Sequence, residues 1–260
     1  MDLGIAGRKA IVCGSSRGLG RACAGALAAE GVSVVLNGLD PARLARAADE
    51  LRAACPDVEV LAIAADVTTE EGRAALLAAC PAPDILVNNV SGPPVMPVLD
   101  TTREQWLSAL NDVLLSAVAL TQRVVPGMVE RGFGRVINIT SAQVTAPRGE
   151  MALSAAPRAA LTALMKGLSL EVVKHNVTIN NLMPERFATD RQRQHAMQAS
   201  IDQGIPLEQA LRARGSGVAA RRLGEPSEFG ATCAFYCSVH ASYLSGQNVR
   251  LDGGTYPGLI

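Results

Sequence analysis

The stretch KAIVCGSSRGLGRACAGALAAEG, residues 9–31, decides the fold. It opens with apolar residues typical of a buried strand and closes with an alanine-rich segment typical of a helix. Gly14, Gly18 and Gly20 lie between the two. Glycine permits a tight turn there, and it lets backbone N–H groups at the positive end of a helix approach a pyrophosphate. In this position the pattern predicts a dinucleotide-binding unit, and an ordinary strand-to-helix turn is the alternative.

Strand-like and helix-like segments alternate from this unit to the end of the chain. Six further apolar runs predict strands, and helical sequence separates most of them. These runs are SVVLNG (33–38), VEVLAIAAD (58–66), DILVNNV (84–90), RVINIT (135–140), VTINNLMP (177–184) and GQNVRLDGG (246–254). Their near-continuous Val, Ile and Leu content indicates burial on both faces, as in a parallel sheet. We therefore predict an α/β fold in which residues 1–260 form a single doubly wound Rossmann-like domain. It has about seven parallel strands, with helices on both faces.

Composition excludes several classes of protein. The chain has 24 basic and 24 acidic residues and a formal net charge of zero, so it lacks the electrostatic signature of a nucleic-acid or membrane-surface binder. Neither a signal peptide nor an uninterrupted apolar run of about 18 residues is recognisable, so we predict no membrane partner and a cytoplasmic location. The six cysteines lack metal-ligand or disulfide spacing, which predicts free thiols and no metal site.

Residues 189–214 interrupt the alternation with a polar segment rich in Arg and Gln. The segment follows a predicted strand end, and ligands of open parallel sheets bind beyond the carboxyl ends of the strands. We therefore expect a lid over the site. Its basic residues weakly favour an acidic or phosphorylated substrate, and a solvated face is the plainer interpretation.

Ordered motifs along essentially the whole chain resemble those of short-chain dehydrogenases/reductases. They comprise the glycine loop, Asp66 and Val67 after the third strand, Asn88 after the fourth, Asn111 in the fourth long helix and Ser141 after the fifth strand. The resemblance implies an NAD(P)-dependent oxidoreductase with a small-molecule substrate. It implies the following cofactor-binding residues: Gly14, Ser16, Arg17, Gly18, Leu19, Gly20, Asn37, Asp66, Val67, Asn88, Pro184 and Thr189. The segment SGQNVRLDGG resembles one that builds tetramer contacts, which implies a homo-oligomer, either a tetramer or a dimer.

The end of the second predicted strand bears on the choice of cofactor. A carboxylate there would bond the ribose 2′-hydroxyl of NAD and repel the 2′-phosphate of NADP. Asn37 and Gly38 occupy this place, and Arg17 lies within the glycine loop. A guanidinium can pair with the 2′-phosphate, so we predict NADP(H) in preference to NAD(H). A plain surface role for Arg17 is the alternative.

The catalytic pair of the family is altered. Members carry Tyr-x-x-x-Lys on one helix face, and counting thirteen residues from Ser141 places Ser154 and Arg158 at these positions. A Ser hydroxyl is a far weaker acid than a Tyr phenol, and Arg keeps its positive charge but cannot release its proton. We predict Ser141, Ser154, Arg158 and Asn111 as catalytic residues.

Three functions are compatible with this substitution. The Ser-x-x-x-Arg pair and the SGPP run at residues 91–94 resemble an atypical subgroup related to β-ketoacyl-carrier-protein reductases. That resemblance implies an atypical oxidoreductase acting on a carbonyl/alcohol pair. A dinucleotide-binding protein without turnover and a non-redox reaction in the same pocket remain the alternatives.

Overall fold

The computed structural model describes residues 1–259. Seven parallel strands form one sheet in the order β3-β2-β1-β4-β5-β6-β7, which confirms the predicted α/β fold. The strands are β1 (Lys9–Val12), β2 (Ser33–Gly38), β3 (Val60–Ala64), β4 (Ile85–Asn88), β5 (Gly134–Ile139), β6 (Val177–Pro184) and β7 (Asn248–Leu251). The strand order reverses between β1 and β4, and this is where doubly wound sheets bind their ligands.

Helices cover both faces of the sheet, and each face has its own apolar core. One core includes Cys23, Leu44 and Phe229, and the other includes Leu120 and Leu161. The helices are α1 (Gly18–Ala29), α2 (Pro41–Ala54), α3 (Glu70–Ala79), α4 (Arg103–Ala109), α5 (Ser116–Glu130), α6 (Ala152–Val172), α7 (Asp190–Gln203), α8 (Leu207–Ser216) and α9 (Pro226–Cys237). The segment expected to be a lid consists of α7 and most of α8.

The stretch Arg103–Glu130 is helical throughout and is long and apolar enough to cross a membrane by length and composition alone. Part of this stretch packs inside the protein, where Leu120 and Met128 are almost fully buried, while Leu107 and Leu115 are exposed. Between α4 and α5, residues Leu110–Leu115 form a π-helical turn. Such a turn shifts the faces that the two halves of a helix present.

An asparagine ladder crosses four neighbouring strands. The Nδ2 of Asn88 donates to Oδ1 of Asn138 at 2.9 Å, Asn138 donates to Asn181 at 3.0 Å, and Asn181 donates to Asn248 at 2.8 Å. Each side chain thus meets the one at the matching position of the next strand. The ladder fixes the orientation of the Asn88 amide, because its Nδ2 also donates to Thr121.

Candidate active site

A cleft of about 1080 Å³ lies at the carboxyl ends of the strands and is bordered by α7. Most of the residues predicted for the site line it, together with residues of the lid. The predicted residues that line it are Gly14, Ser16, Arg17, Gly18, Leu19, Asn37, Asp66, Val67, Ser141, Ser154, Arg158, Pro184 and Thr189. Gly20, Asn88 and Asn111 are the predicted residues outside its lining.

The glycine loop is held by amide side chains. Gly14 has a φ of +56°, a conformation that favours glycine, and a Cβ on Gly20 would lie 2.4 Å from the Gly14 carbonyl oxygen. Asn37 accepts from the Gly14 N–H and donates to the carbonyls of Ile63 and Ala65. Both N–H groups of its side-chain amide are therefore used within the protein, and Asn37 supports the glycine loop.

Two arginines line the part of the cleft beside the glycine loop and the end of β2, and each is paired with a carboxylate. We call this part the adenosine end, because the adenosine of a dinucleotide would lie there. Arg17 lies 3.6 Å from Asp190 of the lid, and Arg43 lies 3.3 Å from Asp40. The end of β2 has no acid, as predicted from Asn37. The loop, the start of α1 and these guanidiniums fit a phosphorylated dinucleotide.

Ser154 and Arg158 meet in the cleft as one hydrogen-bonded unit. Both lie on the buried face of α6, and Arg158 is 7 % exposed. Its Nη1 donates to Ser154 Oγ at 2.7 Å and to the Ser154 carbonyl at 3.1 Å. Since Ser154 Oγ accepts this bond, its own hydrogen is available to a ligand. Burial lowers the pKa of Arg158 to about 10, so the guanidinium stays charged at neutral pH.

Ser141 presents a second hydroxyl of the same kind. It follows β5, and its Oγ accepts from the Gln143 N–H at 3.1 Å. Its hydrogen is therefore also free to point into the cleft. Both hydroxyls therefore line the same cleft, and each has a hydrogen to donate to a ligand.

Behind Arg158 lies a cavity of about 10 Å³ that is bordered by Asn88, Cys13 and Val113. The Nε of Arg158 and the Oδ1 of Asn88 are buried there without a protein partner among residues 1–259. One is a donor and the other an acceptor, and the space is close to that of a single water molecule. Burial raises the pKa of the Cys13 thiol to about 12, so no thiolate balances the charge of Arg158.

The prediction for Asn111 does not fit its position. Asn111 is exposed within the π-helical turn, and its neighbour Asp112 lines the cleft instead. Val113, one residue further, borders the cavity behind Arg158. The extra residue in the π turn changes which side chains face the site, and a regular helical count does not reveal it.

Several lining residues were not among those predicted for the site. Asn89 donates to the Gly14 carbonyl and ties the loop to the end of β4. Arg148 donates to Glu185, which also lies 3.5 Å from Arg186. Glu185 directly follows Pro184, a predicted cofactor-binding residue, and this position was the available signal for the cluster.

His195 also lines the cleft. Burial, followed by the charges of Arg214 and Arg191, lowers its pKa. The imidazole is therefore neutral at pH 7 and is not a strong proton donor there.

Comparisons with known proteins agree with this geometry. The family model described as enoyl-(acyl carrier protein) reductase matches residues 14–256. The NADPH-dependent reductase BacG of Bacillus subtilis is 29% identical over 252 residues, which cover 95% of this chain and 97% of BacG. The 3-oxoacyl-[acyl-carrier-protein] reductase FabG of Vibrio cholerae is 29% identical over 258 residues, which cover 98% of this chain and 99% of FabG.

Solved structures give the same result. The L-sorbose reductase of Gluconobacter frateurii, complexed with NADPH and L-sorbose, superposes with a TM-score of 0.94 and 31% identity, covering all of both chains. Together with the family match over most of the chain, this similarity decides its classification. The chain belongs to the short-chain dehydrogenase/reductase family and is an NAD(P)-dependent enzyme.

Proposed function

We propose that this protein is an atypical NADP(H)-dependent oxidoreductase that interconverts a carbonyl and an alcohol, with chemistry like that of 3-oxoacyl reductases. The contact of 2.7 Å between Arg158 Nη1 and Ser154 Oγ carries the proposal. It joins a fixed positive charge to a hydroxyl whose hydrogen faces the cleft. This pair takes the place that a Tyr and a Lys occupy in the family.

The cofactor is NADP(H), in line with the prediction from Arg17. Relatives named as NADPH-dependent support this choice. The glycine loop and the start of α1 would hold the diphosphate, and Arg17 and Arg43 would hold the 2′-phosphate. When bound, the nicotinamide supplies or accepts a hydride.

The residues of the chain act on the oxygen of the substrate. Ser141 and Ser154 each donate a hydrogen bond to it. Arg158 stabilises the negative charge that develops there, acting through Ser154. Because the guanidinium remains protonated at neutral pH, the proton that completes the alcohol comes from the Ser154 hydroxyl and is restored from water in the open cleft. A weaker acid than a phenol predicts slow turnover.

The remaining predictions about the molecule belong to the same proposal. We propose that residues 1–260 act as a single domain, that residues 189–214 form the lid, and that the protein is a cytoplasmic homo-oligomer. Size-exclusion chromatography with light scattering measures the oligomeric state directly.

The first experiment is a titration of the purified protein with NADPH and NADH, followed by quenching of Trp106 fluorescence or energy transfer from it. We expect micromolar binding of NADPH and much weaker binding of NADH. A panel of ketones then tests for saturable NADPH oxidation. Tight NADPH binding without oxidation of any ketone would favour a binding protein without turnover. Product formation without net oxidation would favour a non-redox reaction.

A double variant restores the usual pair of the family. We expect Ser154→Tyr combined with Arg158→Lys to raise the rate of ketone reduction. The matched control is Ser154→Tyr alone, which keeps the arginine. No gain in the double variant would mean that the cleft has diverged beyond these two positions.

A further inference from the structure

Cleft arginines differ in whether they have a carboxylate partner. At the adenosine end, Arg17 and Arg43 pair with Asp190 and Asp40. In the lid segment, Arg191 and Arg214 also line the cleft, but neither has an ion pair with a carboxylate among residues 1–259. The difference is local, because basic and acidic residues balance over the whole chain.

The contacts of the two unpaired guanidiniums are with neutral groups. Arg191 donates to the carbonyl oxygens of Gly92 and Pro93, both at 3.4 Å, the long end of the hydrogen-bond range. Arg214 donates from Nε to the side chain of Gln192 at 2.7 Å. Neither contact neutralises a charge.

Neighbouring groups add to the positive charge of this region. Arg158 is buried, and among residues 1–259 its guanidinium donates hydrogen bonds only to Ser154. The largely buried carboxylate of Glu185 pairs with two further arginines, Arg148 and Arg186. It also raises the pKa of Arg214, but burial and the charges of Arg186 and Arg148 outweigh it, so that pKa is lowered overall. The charges of Arg214 and Arg191 contribute to the lowered pKa of His195, which lies between them in the chain and faces the same positive field.

We propose that Arg191 and Arg214 bind an anionic oxygen group of the substrate, a carboxylate or a phosphate ester. This inference rests on the proposed reduction of a carbonyl and names the substrate class. A planar guanidinium matches both oxyanions with paired N–H donors. The carbonyl would lie at Ser141 and Ser154, while the anionic group would lie under the lid.

Matched probes test the proposal. Acetoacetate is compared with ethyl acetoacetate, and dihydroxyacetone phosphate with dihydroxyacetone, by NADPH oxidation. We expect kcat/KM to be about 10- to 100-fold higher for at least one anionic probe than for its neutral partner, which is the range of a charge-assisted hydrogen bond. The pair that shows the preference tells a carboxylate substrate from a phosphorylated one. Equal values for both pairs would overturn the inference and leave the oxidoreductase function standing.

Variants of the lid separate substrate binding from cofactor binding. Arg191→Gln should raise KM for the anionic probe about tenfold or more, with little change for the neutral one. The control is Arg193→Gln, which removes the same charge from the same helix outside the cleft lining and should change neither. A higher Kd for NADPH with equal effects on both probes would assign Arg191 to the cofactor diphosphate and refute the proposal.

A binding measurement tests the anion site even if the protein reduces none of the probes. The melting temperature of the NADPH-loaded protein is measured with malonate and with malonamide. Stabilisation by malonate alone, lost in Arg191→Gln, would support the anion site even if no ketone were reduced. Equal effects of the two compounds would count against it.

Discussion

Two buried arginines should respond in opposite directions to the same substitution. Burial lowers the pKa of both Arg135 and Arg158 from the usual 12.5 to about 10. At about 1.4 kcal/mol per pKa unit, each buried charge costs roughly 3 kcal/mol in the folded state. The two guanidiniums differ greatly in their hydrogen bonds. These bonds decide whether removing the arginine raises or lowers the free energy of unfolding.

Arg135 uses all three nitrogens of its guanidinium. It donates to the carbonyls of Ser238, Gly134 and Asn176 and to the Asn176 side chain, and it lies 4.3 Å from the centre of the Phe133 ring. Hydrogen bonds from charged groups contribute about 1.5–3 kcal/mol each, which exceeds the cost of burial. Arg135→Met should therefore lower the free energy of unfolding by about 3 kcal/mol.

Arg158 uses only Nη1 toward Ser154, and its Nε has no protein partner among residues 1–259. One of its two acceptors is a helix carbonyl of the same turn, four residues earlier in α6. Arg158→Met removes a cost of about 3 kcal/mol and loses little more than the bond to Ser154 Oγ. We expect the variant to be about 1 kcal/mol more stable than the native protein and to lose its reductase activity.

Thermal melts without cofactor, at one protein concentration and neutral pH, measure the contrast. For a chain of this size, 1 kcal/mol corresponds to roughly 2–4 °C. We expect Arg158→Met to melt a few degrees higher than the native protein and Arg135→Met to melt about 6–12 °C lower. Equal destabilisation by both substitutions would refute the argument that unpaired hydrogen-bonding capacity marks Arg158 as a functional cation.

Three further predictions concern the cleft and the start of α9. Ser154→Ala should lower kcat/KM about 100-fold while the Kd for NADPH stays the same, and unchanged kinetics would exclude Ser154 as a donor to the substrate. Asn37→Ala removes the support of the glycine loop, so fluorescence titration should show weaker NADPH binding and melts should show a loss of about 2 kcal/mol. Arg222 lowers the pKa of Glu228 to about 2, so Glu228→Gln should destabilise the protein at neutral pH. This difference should disappear as the pH falls from about 4.5 through about 2, and a constant difference would contradict it.

The sheet was predictable because its signals are local. Each strand is a short apolar run, and the five strands inside the sheet are almost entirely buried. The glycine loop was equally accessible, since a strand, three glycines and a helix in succession leave few alternatives. Asn111 shows the limit of such counting, because the π turn after α4 moves Asp112 rather than Asn111 to the cleft. The residue types of Leu110–Leu115 give no clear signature of a π turn.

Asn37 shows a second limit of predicting site residues from sequence. Its identity correctly indicated that no acid ends β2, which is the basis of the NADP(H) prediction. Its amide, however, is used by Gly14, Ile63 and Ala65, which lie on two other segments. A residue that lines a cleft can thus support a ligand-binding loop without contacting the ligand itself. Which of these two roles it has depends on tertiary hydrogen bonds.

The charge of the cleft is likewise a property of the folded chain. Arg17 lies in the predicted cofactor-binding loop and Arg191 in the predicted lid, yet of these two only Arg17 pairs with a carboxylate, that of Asp190 far along the chain. Asp190 precedes Arg191 directly, so the lid contributes one charge to the cofactor end of the cleft and the opposite charge to the substrate end. A solvated face was the plainer interpretation of the basic residues in the predicted lid. On folding, however, the lid directs the charges of Asp190 and Arg191 to different parts of the cleft. This separation leaves the positive field beside Ser154 that an anionic substrate would need.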